Sequence, residues 1–313
     1  MTLPTGAAVR FGENPFAMPR ELPEREGGRA LLGWAAYLTV SIVWGSTFLG
    51  IAVALRSFTP WGVVAVRFTV ASLLCLALGR LLGEERPSRA VAGHLAVSGA
   101  VMLGVCNAIV TWAELHVPSG LAAVLCAPVP IVLALLLLRT ERLGARGWTG
   151  VLLGFGGVVL LTAPERSGGA SLAAAAGILV STILWAWATL HMKRHVTGGG
   201  PLTNAGVQMA TASAIALPAA ALTGGFLRAP LVPDAAGALL YLAVVGSCLA
   251  FTAFGVLTRL WPPARAGTYA YLNPAIAVLL GAALLGEPLG LRLVAGMAVL
   301  LAGVALVQFR QRG

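Results

Sequence analysis

The sequence predicts an all-α integral membrane protein of ten transmembrane helices, arranged as two inverted five-helix repeats. Three observations carry this. First, of 313 residues 58% are hydrophobic and only 10% charged, with a mean hydropathy of +0.88; a soluble domain is about half apolar and about a quarter charged. Second, apolar stretches of about 20 residues, the length that crosses a hydrocarbon core, follow one another along the chain. Third, one stretch occurs twice. Gly120, Pro128, Glu141, Gly150 and Gly157 recur 146 residues later as Ala266, Pro274, Glu287, Gly296 and Gly303.

In chain order, residues 1–30 hold Arg10, Arg20, Arg25, Arg29 and four glutamates without an apolar core. They read as a mobile cytoplasmic tail and not as a signal peptide. The expected spans are Leu32–Val53, Pro60–Gly79, Val91–Ala113, Val117–Leu138 and Trp148–Ala163, then Leu172–Met192, Leu202–Thr223, Ala235–Leu257, Ala264–Leu285 and Leu291–Phe309. Short connections rich in Gly, Pro and charge separate them, as interfacial turns should. The first repeat therefore covers residues 31–164 and the second 165–313. The first spans of the two halves correspond at an offset of 141, which pairs Trp44 with Trp185 and Arg67 with Gln208.

Orientation follows from basic residues, which concentrate in cytoplasmic loops. Sixteen Arg and Lys fall on the side of both termini and four (Arg56, Arg166, Arg228, Arg292) on the other, with Arg67 inside a span. Both termini are thus expected in the cytoplasm, in a multi-pass protein of the cytoplasmic membrane. Five spans per half is an odd number, so the second half enters the bilayer inverted. In inverted-repeat carriers the substrate site lies between the halves near the midplane.

The formal charge of +10 does not indicate nucleic acid, because the basic residues sit between apolar spans and form no binding face. Cys75, Cys106, Cys126 and Cys248 lie in apolar runs without CxxC spacing and read as small buried hydrophobes. No Walker-type glycine loop occurs, so any energy must come from gradients, and uncoupled facilitation fits the sequence equally well. An integral-membrane enzyme, the alternative class, would need paired carboxylates, HExxH, or a serine with a base at membrane depth. Asp234 is the only aspartate and the glutamates are mostly in loops. No enzymatic activity, cofactor or metal is expected.

The pieces IVWGSTF at 42–48, VRF at 66–68, VTWAELHVPSGLAAVLCAPVP at 110–130, ILWAWA at 183–188 and GTYAYLNPAIAVLLG at 267–281 resemble the drug/metabolite transporter superfamily. The similarity is to its ten-span EamA-like exporters, and the WGST and VPSG pieces point to a YedA-like subgroup. The resemblance covers essentially everything after residue 30. It implies ATP-independent export of small metabolites or drugs, such as amino acids and their derivatives, by alternating access. The implied partners are a small-molecule substrate, the lipid bilayer and, if transport is coupled, protons; monomer and homodimer both remain open. One departure is Thr140–Glu141, flanked by Arg139 and Arg142, where the family has a small-residue Gly-Glu.

Among the residues themselves, Arg67 lies roughly 10 Å deep at 1.5 Å per residue, where a charge costs at least ~2.5 kcal/mol unless paired or hydrated. It reads as a cavity group facing an anionic substrate or as the ion-pair partner of Glu114, the two readings being compatible as a gate. Glu114 is the candidate for proton coupling, against a plain interfacial glutamate. Asn107 and Thr111 share a helical face with Glu114 and read as cavity lining or interhelical hydrogen bonding. Trp44 and Trp185 sit near mid-depth, away from the interface where Trp concentrates, and read as aromatic walls or as packing. Tyr269, Tyr271 and Asn273 precede Pro274 and form the strongest cavity element; Gln208 is a weaker one. Pro128 and Pro274 are expected to break their helices. Gly150 and Gly154 suit close helix approach within the chain or dimerisation. His191 and His195, beside Lys193 and Arg194, read as a loop pair rather than a metal site.

Overall fold

Each apolar run folds as a helix because hydrocarbon leaves backbone N–H and C=O groups no partner but their own chain. In the computed structural model, residues 26–138, 144–162, 171–261 and 269–308 are described. The helices are α1 (Glu26–Ala54), α2 (Pro60–Leu81), α3 (Arg89–Ala113), α4 (Ser119–Leu136), α5 (Ala145–Thr162), α6 (Leu172–His195), α7 (Pro201–Leu222), α8 (Pro233–Leu257, continuing to Leu260), α9 (Tyr269–Leu285) and α10 (Leu291–Gln308). Seven are long and apolar enough to cross a membrane. The other three contain shorter apolar helices, Ala145–Leu161, Leu272–Leu285 and Leu291–Leu306, at the expected fifth, ninth and tenth spans. Helix starts follow local chemistry: Thr59 and Ser88 accept from Gly62 N and Val91 N, and Pro60, Pro201 and Pro233 occupy first turns, where no N–H is missed.

Three pairs of helices five apart in order, α2/α7, α4/α9 and α5/α10, pack against each other head to tail. In the α5/α10 pair, Gly157 faces the Leu300 backbone, where an added Cβ would meet Leu300 N at 2.7 Å. Gly296 faces Leu161, and Gly303 abuts Gly150 and Gly154. Contacts that climb α5 while descending α10 mean antiparallel helices. The landmark glycines of the two copies therefore meet one another, and Gly150 and Gly154 serve packing inside the chain. The start of α4 lies against the end of α9, with Gly120 on Val278. The start of α2 reaches the segment after α7 through Thr59 N to Phe226 O at 3.0 Å. Partners that correspond by repeat yet run in opposite directions are what inverted halves require.

The long helices α3 and α8 share one irregularity. Each opens into a π-helical stretch, Gly99–Cys106 in α3 and Leu242–Leu249 in α8. Such stretches are rare and recur at functional sites. Apolar periodicity does not reveal them, since Val, Ala, Gly and Leu suit either winding. The two prolines behave differently. The helix of α4 stops at Cys126 and restarts at Val129, so Pro128 interrupts it as expected. Pro274 does not interrupt α9, which runs unbroken from Tyr269 to Leu285. Beside the proline the Asn273 amide nitrogen, oriented toward its acceptors, donates to Tyr269 O at 3.1 Å and to Ser41 O of α1 at 3.0 Å, which ties α9 to α1.

Candidate functional site

Arg67 lies where the two π-helical stretches converge. It is 5% exposed; its Nε donates to Ser247 Oγ inside the α8 stretch at 2.8 Å, and Nη1 to Asn107 Oδ1 at 3.4 Å. Asn107 ends the α3 stretch, and its own amide donates to Met102 O at 3.0 Å. That bond satisfies a carbonyl in the π-helical stretch and fixes the Asn107 oxygen toward the guanidinium. The Arg67 guanidinium also lies over the Phe68 ring at 5.0 Å. Gly246 makes room for Thr47 and for Arg67 Nη2. Beside them Ser46 Oγ and Tyr241 Oη share a 2.5 Å hydrogen bond between α1 and α8. Four helices from both halves thus surround one cation.

Glu114 does not pair with Arg67. It caps the end of α3 and is 9% exposed, and neither carboxylate oxygen finds a hydrogen-bond partner among the described residues. The ion pair found among those residues is instead Arg56–Asp234, at 3.9 Å and well exposed. Thr111 is buried one turn before Glu114. Asn107, Thr111 and Glu114 therefore lead from the guanidinium to the end of α3.

The aromatic candidates separate. Trp44 is 9% exposed and packed among Phe251, Phe254 and Tyr269, with ring centroids 5.1–5.2 Å apart. In this conformation Trp44 and Tyr269 form a packed seam between α1, α8 and α9. Trp185 is half-buried against the cluster holding Phe68, Met209 and Cys248. Asn273 spends its amide on backbone carbonyls, which makes it a brace between α9 and α1. The side chain of Tyr271 lies outside the described residues. Gln208 is buried, and its backbone lies so close to Gly99 that only a residue without Cβ fits there. Arg67 and Gln208, repeat equivalents, each abut the π-helical stretch of the other half.

Sequence reasoning missed Ser247, Tyr241 and a device built on two glutamates. The tetrapeptide LLGE occurs at 81–84 and 284–287. In both places the helix ends, glycine adopts φ +67°, and glutamate caps a helix of the opposite half. Glu84 accepts from Thr203 N at 2.8 Å, Thr203 Oγ1 at 3.1 Å and Leu202 N at 3.3 Å, at the start of α7. Glu287 accepts from Ser119 N and Oγ, both at 2.7 Å, and from Gly120 N at 3.0 Å, at the start of α4. Carboxylates suit helix N-termini because the first N–H groups are unpaired and the dipole is positive there. Glu141, the repeat counterpart of Glu287, falls outside the described residues.

The model of the EamA-like transporter family matches residues 31–163 and 172–309. The chain belongs to the EamA-like transporter family. Among curated relatives, the uncharacterized inner membrane transporter YedA of Escherichia coli K12 is 35% identical over 82% of this chain and 84% of its own. A probable terminal-alkyne amino-acid exporter of Streptantibioticus cattleyicolor is 30% identical over 90% and 94%. A crystal structure 19% identical in sequence shares the fold, with a TM-score of 0.65 over 91% of this chain and 99% of that one. This EamA-like protein is therefore a multi-pass membrane transporter of small molecules and not an enzyme. Its polar centre, Arg67 with Ser247 and Asn107, lies among helices of both halves.

Proposed function

We propose that this transporter exports amino-acid-like metabolites by alternating access, with Arg67 receiving the substrate carboxylate and Glu114 carrying a coupling proton. The carrying observation is that, among the described residues, buried Arg67 is held by two neutral oxygens and not by an acid. A guanidinium has five donors in a fork matched to carboxylates, and only two are engaged by described side chains. Its charge is therefore uncompensated at short range, a costly state in a membrane interior that an anionic group would relieve. The name of the amino-acid exporter relative supports the same substrate class.

Glu114 complements this. A buried carboxylate with no donor is far cheaper protonated than charged, so it suits taking up a proton in one conformation and releasing it in another. The aromatic seam of Trp44 and Tyr269 would have to part for substrate to pass. The orientation with both termini cytoplasmic rests on the sixteen-to-four arginine and lysine asymmetry. The test is counterflow in liposomes with radiolabelled amino acids and their N-acylated and decarboxylated analogues. Uptake should require the carboxylate. Equal flux of the decarboxylated amines would overturn the assignment of Arg67.

A further inference from the structure

Three of the four histidines of the chain converge at the arginine-rich end of the bundle. His191 and His195 do not lie in a loop as the sequence suggested; α6 extends through both, so their i,i+4 spacing puts them on one face. That face meets His94 of α3. We propose that His94, His191 and His195 form a binding site for a zinc-class divalent transition metal, bracing α3 against α6.

His94 and His191 already stand as a donor pair, with the exposed His195 ring stacked on His94 at 4.5 Å and 27°. Nδ1 of His94 and Nε2 of His191 are 3.3 Å apart, about the separation of two nitrogens each ~2.0–2.1 Å from a tetrahedral zinc. One nitrogen from each ring falls within 4.8 Å of the other two. Nδ1 of His195 is 2.9 Å from His191 O. A carbonyl only accepts, so the proton sits on Nδ1 and the lone pair on Nε2. A backbone carbonyl holding the second ring nitrogen is the usual outer support of a metal-binding histidine. His191 is further fixed by stacking on Trp187 at 5.3 Å and 22°. Three imidazoles favour zinc, nickel or copper over calcium and magnesium, which take oxygen ligands. His195 is exposed, which gives access from solution and room for water as a fourth ligand. The neighbouring Lys193 and Arg194 are exposed as well, where water screens their charge. His94 stands five residues before the α3 π-helical stretch begins at Gly99, so the brace would hold the start of α3 next to that stretch.

The test uses the full chain in detergent after removal of any affinity tag, titrated with Zn²⁺ by calorimetry and with Co²⁺ by visible absorption. One equivalent per chain is expected, with a tetrahedral Co²⁺ spectrum, a raised Tm, and loss of binding on acidification as the imidazoles protonate. His94→Ala and the exposed His195→Ala should each weaken binding about 10-fold or more. His116→Ala, at the opposite end of α3, should leave it unchanged. Absence of binding to the folded chain, or equal binding by all three variants, would overturn the site; the second result would mean an adventitious cation only.

Discussion

Glu287 and Glu114 stand close enough at the arginine-poor end of the bundle to act on each other electrostatically, and their surroundings are opposite. Glu287 accepts three hydrogen bonds at the head of α4, and its carboxylate is part of how the two halves are joined. Glu114, only five residues before Ser119, accepts none among the described residues. A carboxylate saturated by donors is structural because neutralising it breaks several bonds at once. One without donors costs stability while charged and so does not help to hold the fold in that state.

The largest effect expected from this contrast is that of Glu287→Ala. Three bonds to a charged acceptor disappear while the α4 N–H groups stay partly buried, so stability should fall by about 3 kcal/mol. Thermal unfolding in detergent would check this, and an unchanged Tm would remove Glu287 from the architecture. Arg67→Lys should come next, keeping the charge but losing the fork. Transport should drop about 10-fold or more, mostly through a higher KM, with Tm little changed. Wild-type kinetics would show that the guanidinium does not meet substrate. Glu114→Gln sharpens the contrast from the other side, since an amide replaces a carboxylate that had no hydrogen bond to lose among the described residues. Its stability should stay within about 0.5 kcal/mol of the original or rise, while any acceleration of flux by a pH gradient disappears. If that acceleration survives, coupling lies elsewhere. Smallest should be Arg56→Ala, which removes an exposed ion pair worth about 0.5 kcal/mol or less, readable as a Tm shift near zero.

Much of the fold was legible because hydrocarbon permits so few solutions. The glycines at 150, 157, 296 and 303 were visible as a repeat, and they meet in the α5/α10 seam. Arg67 stood out because a charge within an apolar run demands a reason. Its partners did not. Ser247 lies 180 residues away in sequence, and a serine in a Gly- and Ala-rich span resembles many others whose hydroxyl bonds its own helix, as Ser41 does with Tyr37 O. The capping role of Glu84 and Glu287 left a trace in the repeated LLGE, which gains meaning only when each glutamate is seen at a helix start of the other half.

By itself, the sequence determined which segments cross the bilayer, that the halves correspond and are inverted, and the family to which the chain belongs. These depend on apolar length, charge placement and internal repetition, all local or periodic properties of the chain. Only tertiary structure decided that Arg67 binds neutral oxygens, that Glu114 is left without donors among the described residues, that α9 passes Pro274 unbroken and that three histidines share one corner. Each of these turns on which side chain from a distant helix arrives within about 3 Å, and hydrophobic pattern is silent on that.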